Sequence, residues 1–191
     1  MTTTLLGPWP DDARPGAAPA CDNTAVGVLV IAPGGFTLLI HQPGRLILPV
    51  GHIDGRGGPH DAADAIVAAT TGLTVGRKQL LGEAWQPIGC QRGQGTPAGD
   101  GHKWSLYVAM PRGGALTGRA QWLSHGQLQA AAERTADYAA GLITDQQWHA
   151  RPGLDPVWAA SLIGNRVELT ADQHEAIRAL IDREPYTAAA R

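Results

Sequence analysis

Charge is scarce in this chain. Asp, Glu, Lys and Arg make up 17% of its 191 residues, against about 25% in an ordinary soluble domain. Lys78 and Lys103 are the only lysines among 15 basic residues, and the net charge is -2. No basic patch can form from so few scattered cations, which excludes the footprint of a protein that neutralises a run of nucleic-acid phosphates. Cysteine is almost missing: Cys21 and Cys90 lack CxxC spacing, so neither a disulfide framework nor a zinc site is indicated. No stretch approaches the roughly 20 apolar residues of a membrane span, and the N-terminus carries no basic segment followed by an apolar run, so no signal peptide is expected. These absences predict a cytoplasmic protein with free thiols and with no nucleic-acid or membrane partner.

Hydrophobic residues, at 43%, suffice for a core in a chain of this length without disulfides or a structural metal. Gly 25 and Pro 14 imply many turns and long loops. Residues 1–22 read as an irregular arm, 23–141 as one domain, and 142–191 as a helical extension packed on it. Two apolar runs, Ala25–Ile31 and Phe36–His41, flank the turn signal Pro33-Gly34-Gly35 and read as a hairpin. Arg45–Val50 reads as a third strand. Pro59 suits the first turn of a helix running to Thr71, with Gly72 as its left-handed cap. Gln79–Ile88 and Trp104–Met110 read as strands joined by a mobile glycine-rich loop, Gly89–Gly101. Beyond Ala120 the pattern turns helical: Gln127–Ala140, Asp145–Ala150, Pro156–Ile163 and Ala171–Arg183, the last opened by a Thr170/Gln173 capping box. This order predicts an α+β layered fold.

The segment Leu48-Pro49-Val50-Gly51-His52-Ile53-Asp54-Gly55, continuing through Pro59 and Ala62-Ala63 to Thr71-Gly72-Leu73, resembles the Nudix box. That family's signature is GX5EX7REUXEEXGU, with U aliphatic. Gly51 takes its first glycine, Val67 its aliphatic position and Gly72-Leu73 its closing pair. The resemblance implies an α/β/α sandwich with a mixed sheet over about 60% of the chain. It also implies hydrolysis of nucleoside diphosphate derivatives by Mg²⁺ or Mn²⁺ held on the glutamates of the box helix.

The charged positions of the signature are lost. Gly57 stands for the loop glutamate, Ala65-Ile66 for the Arg-Glu pair, and Ala69-Thr70 for the last two glutamates. At about 100° per residue, positions 66, 69 and 70 share a helical face. Glutamates there would converge on a hard cation, whereas Ile66, Ala69 and Thr70 offer one weak hydroxyl. Asp61 and Asp64 fall about 140–160° away from Ile66, so they read as solvated surface charges. The expectation is therefore no bound metal and no cofactor.

Among the remaining polar residues, His52, Asp54 and His102 are the candidates for acid/base chemistry, because histidine titrates near neutral pH. In the resembled fold, the box loop and the loop between later strands border the substrate cleft. Candidate ligand-binding residues are His41, Arg45, Trp85, Arg92, Lys103 and Trp104. The cations would bind phosphate, and the tryptophans would stack on a flat ring or fill the core. Three readings stay open. One is a Nudix-like protein without metal-dependent hydrolysis that keeps a cleft for a small ligand, a nucleotide or diphosphate compound. The second is an enzyme using metal-independent acid/base residues, and the third is a dimeric interaction or regulatory module whose homodimer is built on the helices from Gln127 onward.

Overall fold

A computed structural model describes residues 24–86 and 102–183. The arm expected over 1–22, the loop Gly89–Gly101 with Arg92, and the last eight residues lie outside the described residues. Strands β1 (Thr24–Val30), β2 (Thr37–Gln42), β3 (Arg45–Ile47) and β4 (Val50–His52) are followed by helix α1 (Pro59–Thr71). Strands β5 (Leu73–Gln86), β6 (His102–Gly114) and β7 (Ala120–Leu123) come next. Helices α2 (His125–Ala139), α3 (Asp145–Ala150), α4 (Pro156–Leu162) and α5 (Ala171–Arg183) complete the fold. No described helix is long and apolar enough to cross a membrane.

The fold is α+β with a mixed sheet. Four strands run in the order β4-β1-β6-β5, and three in the order β3-β2-β7. β1 pairs parallel with β6 and antiparallel with β4, while β5 and β6 are antiparallel. The run from Ala25 to Ile31 therefore does not form the hairpin expected with Phe36–His41. Those strands enter different sheets, with an isolated Ile31–Thr37 bridge beside the turn between them. Arg45–Val50, expected as one strand, is split at Leu48-Pro49 into β3 and β4. Pro49 has no N–H to donate, and its carbonyl instead accepts from Val28 N at 2.9 Å, so the chain steps from one sheet to the other there.

β1 is buried on both faces, which its small and β-branched composition permits. Val26, Val28 and Val30 face α1 in one cluster with Ala62, Ala63, Ile66 and Val67. Ala25 and Leu29 face the other, larger cluster with Leu128, Leu154, Trp158 and Ile177. That cluster joins the sheets to helices on both sides of Gly141, so α2, α4 and α5 share one core. The expected helices are close to those found, and several of their boundaries carry caps. Gly72 ends α1 at φ 76°, Ser124 and Gln127 form a capping box on α2, Thr144 and Gln147 one on α3, and Thr170 and Gln173 one before α5.

Residues 153–155 lie along the free side of β3. Leu46 N donates to Gly153 O and Asp155 N to Leu46 O, at 2.9 and 2.8 Å. Only glycine fits at 153, because a Cβ there would stand 2.7 Å from Ala131 O and 2.6 Å from Thr135 Oγ1. The Thr135 hydroxyl closes the junction by donating to Leu154 O at 2.7 Å. The segment leading into α4 is thus stitched to the sheet through backbone hydrogen bonds.

Candidate functional site

Helix α1 lies over the sheet with Ile66 turned inward. Ile66 is buried, and a Cβ placed on Gly51 would come within 2.7 Å of both its Cγ1 and Cδ1. Isoleucine and glycine are complementary, one filling the space the other leaves. Ala69 is exposed and Thr70 half-buried, so the three positions straddle the edge of the core rather than sharing one open face. The Thr70 hydroxyl donates to Ile66 O at 2.7 Å, which commits its proton to the helix backbone. Such residues do not fit a hard divalent cation, which needs several oxygen ligands. Among the described residues, no group of three or more His, Cys, Asp or Glu side chains is placed to hold a metal ion.

The two aspartates of α1 behave differently. Asp61 is 73% exposed beside His60, as expected of a solvated charge. Asp64 is also at the surface, with its side chain 52% exposed, but it lies 2.5 Å from Nζ of Lys78, whose side chain is 3% exposed. The helix runs along β5, so a carboxylate on its flank reaches that strand's lysine. Asp64 is thus a surface charge, as helical phase predicts, with a lysine partner that phase alone does not reveal.

His52 and His102 come together although fifty residues separate them. Their Nε2 atoms are 3.1 Å apart and their ring centroids 5.0 Å apart. Both side chains are buried. They stand on β4 and β6, the two neighbours of β1, on the face that carries Ala25, which pairs with His52 in the register. The small methyl of Ala25 leaves room for two imidazoles to lean together over β1. At this separation one ring donates a proton and the other accepts it, so the pair can hold and pass a single proton between defined atoms.

Asp54 sits in the β4–α1 loop with φ 50°, the one described non-glycine residue in the left-handed region. It lies 3.6 Å from Arg56, whose Nη1 also donates a hydrogen bond to His52 O at 3.0 Å. The loop thus ties Asp54 to the backbone of His52 through Arg56.

The ligand-binding candidates disperse. His41 is exposed on β2. Arg45 is buried on β3, 3.7 Å from the equally buried Asp155, and its Nε donates to Gln42 Oε1. Trp104 is a core residue packed edge-on against Trp158, with centroids 5.3 Å apart. Its Nε1 has no hydrogen-bond partner among the described residues. Trp85, by contrast, is 51% exposed and lies opposite Lys103 in the β5–β6 register. Arg92 lies outside the described residues.

Two carboxylates were not singled out from sequence. Glu83 on β5 accepts from Ser105 Oγ at 2.7 Å and pairs with Lys103 Nζ at 3.1 Å. The serine hydrogen bond, then the lysine, hold it below the usual carboxylate range. Its signal was the alternation Glu83-Ala84-Trp85, which puts Glu83 and Trp85 on one face. Asp155 caps α4 by accepting from Val157 N at 3.0 Å, as an Asp-Pro start signal would suggest. Burial pushes its carboxyl up to about 6, against the opposing pull of Arg45 and of the α4 backbone amides.

No protein-family model matches this chain, and no curated protein matches it. Solved structures similar to it are Nudix hydrolases. One from Nitrosomonas europaea aligns over 56% of this chain and 76% of its own, with 16% identity and a TM-score of 0.45. A MutT protein from Bacillus halodurans aligns over 56% and 71%, with 16% identity and a TM-score of 0.43. The Nudix hydrolase RenU from M. smegmatis aligns over 56% and 74%, with 24% identity and a TM-score of 0.39.

Proposed function

We propose that this chain is a Nudix-like protein without metal-dependent diphosphate hydrolysis, one that keeps a cleft for a small ligand. The observation that carries this reading is the Ile66–Gly51 contact. A side chain at the position where the resembled family holds metal is locked into the core, and an added Cβ on the facing glycine would collide with it. Reverting one residue would not rebuild a site whose surroundings have closed. With purified protein, Mg²⁺ or Mn²⁺ should produce no turnover of nucleoside diphosphate sugars, dinucleoside polyphosphates or nucleoside triphosphates above a no-protein blank. A rate that is robust and disappears with chelator would end this reading.

A second reading, metal-independent acid/base catalysis, is favoured by one specific observation, the buried His52–His102 pair. The pair would move a proton at Nε2, with Asp54 and Arg56 fixing the loop that carries His52. In this reading, H52Q and H102Q would each lower an identified activity by about 10²–10⁴-fold, the range for a general acid or base. Retention of full activity in both variants would remove the histidines from the chemistry.

A further inference from the structure

The sheet carries a second polar cluster, on the opposite face from the histidine pair. β6 alternates, so Trp104, Leu106 and Val108 enter the larger core while Lys103, Ser105 and Tyr107 face the α1 side. α1 covers only part of that side. His60, in its first turn, stands edge-on to Tyr107 with centroids 6.0 Å apart, and Ser105 and Lys103 lie on the strand before that point. Across the ladder, Glu83 is opposite Ser105 and Trp85 opposite Lys103. The result is a shelf with an indole at one end and a fixed carboxylate about 7 Å along the strand, the spacing of successive same-face residues.

The polar atoms of the shelf have a defined order. Glu83 Oε1 accepts from Ser105 and Oε2 faces Lys103 Nζ. Each carboxylate oxygen keeps a further lone pair, and the ammonium keeps further N–H groups. Read along the shelf, this is acceptor, acceptor, donor. Trp85 exposes half of its surface beside it, an arrangement suited to stacking.

We infer that this shelf binds a planar heterocycle whose edge presents donor, donor, acceptor in series, that is, a guanine-type ring stacked on Trp85. The ring's amino group and adjacent ring N–H meet the two oxygens of Glu83, and its carbonyl meets Lys103. An adenine edge offers a donor beside an acceptor, and a uracil edge alternates acceptor, donor, acceptor, so neither completes the set. This deepens the ligand-binding reading above and rests on it only in that a small ligand is bound; neither a diphosphate nor a metal is required.

The test is an NMR titration of the full chain with GMP, IMP, AMP and UMP in the presence of chelator. The common monophosphate cancels between the four probes. Saturable GMP binding that moves the Trp85 indole N–H is expected, with IMP at least 5-fold weaker for want of the 2-amino group. AMP and UMP should be weaker still. W85A and E83Q should each weaken GMP binding at least 10-fold while leaving the unfolding midpoint within experimental error. Both side chains reach solvent, and E83Q serves as the independent check if W85A loses its fold. Absence of saturable GMP binding, equal affinity for all four probes, or wild-type affinity in a folded E83Q would each overturn the inference. Chelator-sensitive hydrolysis, by contrast, would sink the proposed function and leave this binding result standing.

Discussion

Gly51 and Ile66 show how tightly one residue constrains its neighbour. Ile66 fills space left by the missing Cβ of Gly51, so the two residues form a single packing unit. Gly51→Ala should cost about 1–3 kcal/mol, the usual penalty for overpacking a core. Adding Ile66→Ala should restore part of that loss by vacating the contact, giving a coupling of about 0.5–3 kcal/mol in a double-mutant cycle. Urea denaturation of the four proteins measures it, and strictly additive losses would mean that the two residues do not share the space. The identity of position 66 was legible in the sequence, but its burial was not. Helical phase groups 66, 69 and 70, and only the placement of α1 on β4 decides which of them goes inside.

Between elements, the β3–α4 junction carries an ionisable group, Asp155, that is both fully buried and strongly shifted. Asp155 rises from its ordinary 3.8 to about 6 because burial disfavours the charged carboxylate, and Arg45, 3.7 Å away, only partly offsets this. Below about pH 4 the carboxyl is protonated in both folded and unfolded chains. Between about pH 4 and 6 the folded chain retains a proton that the unfolded chain has released, so stability falls as pH rises, by up to about 3 kcal/mol. Asp155→Asn keeps an acceptor for the α4 cap and should flatten that slope, with stability at pH 7 no lower than the parent's. Thermal unfolding across pH 4–8 reads this directly. A variant much less stable than the parent at pH 7 would mean that the Arg45 ion pair outweighs burial. The Asp-Pro start of α4 was readable from sequence as a cap. Its partner was not, since Arg45 lies 110 residues earlier and looked like a free phosphate-binding cation.

At the scale of the whole molecule, one core spans both sides of Gly141. Leu154, Val157, Trp158, Leu162 and Ile177 pack in the same cluster as Leu39, Leu48 and Leu128. Truncation after Gly141 should therefore leave a chain that does not fold cooperatively, because it would expose the apolar face of α2 and of the three-stranded sheet. Circular dichroism and a urea melt of residues 1–141 test this, and a cooperative transition would show that the remaining layers suffice alone. The same architecture separates two polar clusters by a sheet. The histidine pair lies on the side of the larger core, while Glu83, Ser105 and Lys103 lie on the side of α1. A ligand at one would touch the other only through β1 and β6.

Sequence by itself determined what local chemistry can determine. Caps and turns fixed α1, α3 and α5, because Pro59, Gly72, Thr144 and Thr170 act within one helical turn. The absence of glutamate from α1 was visible without coordinates, as were His52 and His102 as residues to watch. Tertiary structure decided everything that depends on distance across the fold. It set β1 and β2 in separate sheets, broke the third strand at Pro49, buried Arg45 against Asp155, and brought two imidazoles within one hydrogen bond over Ala25. Strand pairing and side-chain convergence arise from contacts between residues tens of positions apart, and no local preference along the chain encodes them.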